Sequence, residues 1–207
     1  TLFRSVCWAD LNNDGVINNL DRVKVGNLFP TVTGGFSTTL GYKDFSLYAR
    51  FDYALGHTLY NDLAARSLGQ YQGSFNIIDM VKDSWSETNQ DTDIPKFYYA
   101  DQLSKKNITR SNNGLTAVDN NSSRFYEKGD YLALREITLT WNLPKKWINK
   151  ALMSNASVYV TGQNLFYITG YTGVSPEPAV DTTYGQGLDN GRYPTPKTVL
   201  LGLSVTF

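Results

Sequence analysis

Soft metal ligands are almost missing from this sequence: its 207 residues include one cysteine, Cys7, and one histidine, His57. An intrachain disulfide is excluded, as is any metal site built from several histidines of this chain. Cys7 reads as a small apolar residue, and His57 as a structural one near the end of a strand pattern. Charge of one sign is missing too. The 19 basic residues balance the 19 acidic ones, so neither the basic footprint of a nucleic-acid binder nor an acidic solvating tail is present. No apolar run reaches the ~20 residues that a transmembrane helix needs. The opening TLFRS carries no Met, basic region or apolar region of a leader. No Ser-His-Asp, Cys-His or phosphate-cradling glycine pattern occurs, and no enzymatic activity is expected. None of these absences excludes a membrane, because barrel strands alternate and leave no hydropathy peak.

What the chain has in quantity favours strands and turns: 14 Tyr, 10 Phe and 17 Gly. Alternation is the strongest signal. In VTGGFSTTLGY (32–42), Val32, Phe36, Leu40 and Tyr42 share one phase. Lys43-Asp44 is a two-residue turn, after which residues 45–56 repeat the pattern. There Phe45, Leu47, Ala49, Phe51, Tyr53 and Leu55 take one face, while Arg50 and Asp52 take the other. A third strand is expected over 131–143, with a phase slip at Arg135-Glu136 that predicts a β-bulge. Residues 156–166 and the closing TVLLGLSVTF are the fourth and fifth. The connections alternate as well. Those at 43–44 and 144–155 are short, whereas 61–130 and 167–197 are long and polar. In the first long one, helical turns are expected at 61–68 and 76–85, the latter lining up Ile77, Ile78, Val81 and Trp85.

Strands of this length with alternately short and long connections fit an all-β fold, a transmembrane antiparallel β-barrel with short periplasmic turns and long extracellular loops. Five strands cannot close one, since bacterial barrels begin at about eight. An open sheet of this kind would leave two edges and an apolar face uncovered. The chain is therefore expected to be a portion of something larger.

The N-terminal stretch WADLNNDGVINNLD poses a separate question. Asp10, Asn12, Asp14 and Asp21 fall where a calcium loop places side-chain oxygens, the Val16 carbonyl falls at its backbone position, and Asn18 could hold a water. Gly15 supplies the sharp turn. Asp21 is shorter than the usual Glu, and an ion-free Asx-turn loop uses the same residues. Both readings stay open, and Ca2+ would brace a loop rather than act as a sensor. Dockerins use a very similar loop, which keeps an alternative alive: a secreted calcium-dependent glycan-binding or adhesion β-module. Dockerins, however, carry two copies that each run into a helix. Here there is one copy, and Gly26 and Pro30 cut off any helix.

Taken in order, several stretches resemble the SusC/RagA-like TonB-dependent outer-membrane transporters of Bacteroidetes. They are DLNNDGVINNLDRVKVGNLFPTVTGGF, GYKDFSLYARFDYALG, YLALREITLTWNLPKKWINK, VYVTGQNLFYITGYTGVSPEP and YPTPKTVLLGLSVTF. The resemblance covers nearly the whole chain and points to the C-terminal part of such a transporter. It departs from the pattern at Cys7-Trp8, where Phe-Lys is commoner. It implies the last strands of a barrel of about 22 strands in a bacterial outer membrane, with residues 1–30 as an extracellular loop and 31–207 as five strands and their loops. The plug domain and the segment that engages TonB would lie outside these residues. The implied partners are TonB, a SusD-like surface lipoprotein, membrane lipid and the rest of the barrel, and the implied cargo is an oligosaccharide or a peptide. Within that frame Arg50 and Asp52 face the lumen. Trp85, Phe97, Tyr98 and Tyr99 are loop aromatics that could stack on a sugar. Tyr42, Phe45, Tyr60, Tyr131, Trp141, Trp147, Tyr167 and Phe207 are candidates for the interface girdles, Phe207 also resembling a terminal sorting signal.

Overall fold

A computed structural model describes residues 9–16, 19–65, 67, 79–94, 96, 123–149, 152–177, 187–191 and 193–207. Its strands, in chain order, are β1 (Val32–Tyr42), β2 (Phe45–Leu55), β3 (Thr58–Asn61), β4 (Tyr126–Lys128), β5 (Tyr131–Asn142), β6 (Asn155–Thr169), β7 (Leu188–Asp189) and β8 (Thr198–Thr206). Two single-turn helices, α1 (Asp62–Ala65) and α2 (Lys145–Ile148), follow β3 and β5. Among the described residues no helix is long and apolar enough to cross a membrane, which says nothing about strands. Packing divides the chain into two units.

One unit, with residues 29–57, 128–178 and 193–207, is an antiparallel sheet in the order β1-β2-β5-β6-β8. All five strands expected from alternation are present. β6 runs three residues past the expected end at Phe166, because Tyr167 to Thr169 still pair with β5. Register lines the apolar positions up across the whole sheet. Leu40 faces Leu47, then Leu139, Val160 and Leu201. The next apolar row is Tyr42, Phe45, Trp141, Val158 and Leu203. Between them, on the opposite face, lie Gly41, Ser46, Thr140, Tyr159 and Gly202. Because side chains alternate strictly along a strand, a one-residue slip anywhere would scramble both faces.

Among the described residues nothing covers the apolar face. Leu40, Phe36, Val199, Leu201 and Leu203 are all more than half exposed, at 53–80%. A sheet facing water would not keep such a surface across five hydrogen-bonded strands. On the other face Tyr159 lies across Gly202, where an added Cβ would come within 2.1 Å of its ring. A glycine there makes room for the cross-strand aromatic.

The second unit draws its described residues from 1–28, 58–127 and 179–192 and holds a small sheet in the order β4-β3-β7. Its core is Tyr60, Ala65, Ile94 and Phe125, with Val81, Tyr126 and Leu188 against them. The Asn61 side chain accepts the Ala64 N–H at 3.0 Å and caps α1. The helix expected over 76–85 is described from residue 79 on. There it is only a 3-10 turn, Asp79–Asp83, and Ile77 and Ile78 lie outside the described residues. That over 61–68 starts one residue later, at Asp62, because Asn61 belongs to β3; it is described as Asp62–Ala65 with Ser67 still helical, and Arg66 and Leu68 lie outside the described residues.

Candidate functional site

The phase slip at Arg135 is the origin of the most organised polar site in the sheet unit. Phe51 pairs with Leu134 and Arg50 with Glu136, so β5 carries one extra residue, Arg135. On the β6 side, Leu134 pairs with Phe166 and Glu136 with Gln163, leaving Asn164 and Leu165 opposite Arg135. The double irregularity keeps Leu132 and Leu134 on the same face as Ile137 and Leu139. It also frees Arg135 to lean over the polar face. Asn164 takes φ +51°, a left-handed conformation that Asn tolerates better than most residues. Asn164→Gly is expected to change stability by under about 0.5 kcal/mol and Asn164→Val to cost about 1–2 kcal/mol, read by heat unfolding in detergent.

The guanidinium of Arg135 uses each of its five N–H donors. Nε and Nη2 form a fork on Asp52, the Nη2–Oδ2 arm measuring 2.9 Å. Nη2 also donates to Glu177, and Nη1 donates to the Tyr167 hydroxyl at 3.0 Å and to Asn164 Oδ1 at 3.5 Å. The Tyr167 hydroxyl accepts from Arg135 and donates onward to Glu177 at 2.7 Å. The Arg135 guanidinium also sits 5.5 Å from the Tyr167 ring centroid. Only 18% of the Arg135 side chain is exposed, against about a third for each carboxylate. One cation between two carboxylates leaves the group with a net negative charge.

This group also fixes the chain that follows β6. Glu177 is held by Arg135, while the preceding carbonyl, that of Pro176, meets His57 Nε2 at 2.8 Å. His57 is 1% exposed and edge-on to Tyr131 at 6.2 Å. It serves as an anchor for a backbone carbonyl, the structural role that the sequence suggests. Nearby, Asp130 accepts the Gly56 N–H at 2.6 Å, and Thr169 Oγ1 donates to the Asp130 carbonyl at 2.7 Å. Residues 171–177 are thus tied down at two successive positions.

Of the expected lumen pair, Asp52 enters this network and Arg50 does not. Arg50 is exposed and lines a hollow with Gly35, Ser37, Asp52 and Arg135. Trp85 is corrected: at 4% exposure it is buried, its backbone N–H bonded to the Ile94 carbonyl at 2.8 Å, and it offers no stacking face. Phe97, Tyr98 and Tyr99 lie outside the described residues. The girdle expectation is corrected at three positions. Tyr60 is buried in the core of the smaller unit, Tyr131 packs against His57, and Tyr167 serves Arg135. Tyr42, Phe45, Trp147 and Phe207 are exposed. Arg135 and Glu177 were not legible as site residues, although the bulge placed the first.

The 10–21 loop closes on itself. Asp10 accepts the N–H groups of Asp14 and Gly15 at 3.2 and 2.8 Å, and Asp14 accepts that of Val16 at 2.8 Å. Asp21 reaches back to the Leu11 N–H at 2.9 Å. Gly15 has φ +81°, the turn for which it was singled out. Asn12 donates its amide to Asp14 at 2.8 Å. The oxygen donors suit a hard cation in kind, but among the described residues no three acidic, His or Cys side chains converge as a metal group. Asn18 lies outside the described residues. No helix follows: residues 22–30 are irregular, which removes the dockerin-like arrangement.

No family model matches the chain. Over 97% of its length it is 33% identical to TonB-dependent receptor P26 and 31% identical to TonB-dependent receptor P3, both of Formosa agariphila. It is 25% identical to TonB-dependent receptor SusC of Bacteroides thetaiotaomicron, again over 97% of the chain. It spans only 19%, 19% and 17% of those three proteins. Among solved structures, the RagAB peptide importer in its closed-closed state matches 87% of this chain and 18% of that one, at TM-score 0.65 and 26% identity. The RagAB peptide transporter matches 87% and 17%, at TM-score 0.64 and 25% identity. Sequence and fold agree that nearly the whole chain is similar to a portion of SusC/RagA-like TonB-dependent transporters, about a fifth of such a protein's length.

Proposed function

We propose that this chain forms part of the barrel wall of a bacterial outer-membrane transporter that imports nutrient oligomers with energy relayed by TonB. In this reading the apolar face meets lipid and the polar face, with Arg50, Asp52 and the Arg135 group, lines the lumen. A SusD-like lipoprotein covers the outer mouth, and the cargo is an oligosaccharide or a peptide. The long connections are extracellular and the turns at 43–44 and 143–154 periplasmic. The observation that carries the reading is the apolar face, continuous in register across five strands and exposed among the described residues, in a chain that matches TonB-dependent receptors along its length.

Growth on single oligomeric nutrients tests it. A strain lacking the transporter that carries this chain is expected to lose growth on one oligosaccharide or peptide while still growing on its monomers. Removing TonB should reproduce the defect. Uptake that persists without TonB would sink the reading.

Calcium at the 10–21 loop is a separate part of the proposal. The carboxylates of Asp10, Asp14 and Asp21 would share their oxygens between the loop's N–H groups and the ion. Calcium added to chelator-stripped transporter is expected to raise the unfolding temperature by a few degrees, an effect that Asp10→Ala abolishes. No shift would leave the loop as an ion-free brace.

A further inference from the structure

We infer that the short-turn end of the sheet carries a binding site for an anionic phospholipid headgroup, formed by Lys43, Lys145 and Lys146 beside Tyr42 and Trp147. The inference rests on the barrel-wall reading and adds a ligand to it. The Asn142 N–H donates to the Asp44 carbonyl at 2.8 Å, which brings the β1–β2 turn beside the start of the β5–β6 connection. Lys43, with φ +53°, occupies that turn and holds its ammonium 5.3 Å from the Tyr42 ring centroid. In the neighbouring connection Pro144 opens α2, and Ile148, 2% exposed, turns inward. Lys145, Lys146 and Trp147 are left outward and exposed. Trp147 meets Trp141 edge-on at 5.9 Å, and Trp141 stacks on Phe45 at 6.1 Å. Trp141 and Phe45 belong to an apolar row of the sheet, so this contact sets α2 at the rim of the apolar face.

The chemistry follows from that placement. Trp147 is 57% exposed and Tyr42 is 71% exposed, each presenting an apolar ring with a polar tip at the margin of an apolar surface. Such rings settle at headgroup depth in a membrane. The three lysines belong to two adjoining turns whose sequence holds one acid, Asp44. At the other end of the sheet unit Lys128 and Lys197 are matched by Asp130 and by the net negative charge that Asp52 and Glu177 leave around Arg135, so the basic excess belongs to one rim. Long lysine stems lie along apolar surface while their charges reach phosphate. A lipid supplies both halves of the complement, acyl chains for the sheet face and a phosphate with net negative charge for the lysines.

The test uses the transporter that carries this chain, in nanodiscs containing phosphatidylglycerol and phosphatidylcholine, with retained lipids counted by native mass spectrometry. The wild type is expected to retain phosphatidylglycerol preferentially. Each lysine replaced by glutamine should lower that preference roughly fivefold, and the triple variant K43Q/K145Q/K146Q should lose it. Trp147→Ala should weaken retention of both lipids. Lys128→Gln, at the opposite end, should change nothing. Circular dichroism confirms that each variant is folded, and Lys145→Gln alone serves if the triple variant is not. Equal retention of the two lipids by the wild type overturns the inference, as does a triple variant that keeps the wild-type preference. Failure of the wild type to enter nanodiscs of phosphatidylcholine alone would contradict the barrel-wall reading itself, a separate outcome.

Discussion

Replacing Arg135 with alanine is expected to release residues 171–177 from the sheet and to lower stability by about 2 kcal/mol. Breaking a buried ion pair by removing one member costs about 3–5 kcal/mol. The lower figure applies because Asp52 and Glu177 are each about a third exposed and water screens what remains. The loss has a definite origin. Without the guanidinium, two carboxylates and the Tyr167 hydroxyl face one another, and Tyr167 alone can donate to Glu177. Hydrogen exchange over 167–177 should quicken at least tenfold while β1 and β2 keep their protection. Arg135→Lys keeps the charge but has three donors in place of five. It should fall between the two. Unchanged exchange in the alanine variant would mean that the His57 anchor suffices.

The second large effect concerns the apolar face. Ile137 lies in the middle of five apolar rows, paired with Ala49 on one side and Gly162 on the other. If this face meets lipid, Ile137→Arg should cost about 2–4 kcal/mol, the penalty for a cation near the bilayer midplane. Thr138 is the next residue and faces the opposite way. Its hydroxyl is 2.8 Å from that of Thr161, so Thr138→Arg should cost only about 1 kcal/mol for that bond. Heat unfolding of the folded barrel in liposomes measures both. Equal costs at the two positions would mean that both faces meet the same solvent.

How much of this was legible depends on length and period. β1 and β2 announce themselves because eleven residues of strict alternation leave little freedom in where the strands lie. The bulge was legible for the same reason, since Leu132 and Leu134 fall out of phase with Ile137 and Leu139 and only an extra residue restores one face. The smaller sheet was not. β3, β4 and β7 have four, three and two residues, too few for a period to register. β3 also pairs in parallel with a strand far along the chain, a contact that no local pattern encodes. The site was half legible. Asp52 was placed on the polar face by alternation, but its partner is the bulged residue rather than its neighbour Arg50. Glu177 lies beyond β6 in irregular chain, where periodicity carries no information. Tyr131 and Tyr167 looked like interface aromatics because position near a strand end does not reveal which face a bulge assigns.

The central claim is that one face of this sheet meets lipid and the other an aqueous lumen. Spin labels test it most directly, placed one at a time in the reconstituted transporter after Cys7→Ser. Positions Leu47, Leu139 and Leu201 should be relaxed strongly by oxygen, which concentrates in the bilayer. Positions Ser46, Thr140 and Ser204 should be relaxed by a water-soluble nickel complex instead. Alternation between the two relaxants along each strand, in phase across all three, is the result the account requires. Accessibility to the nickel complex that is equal on both faces would contradict it.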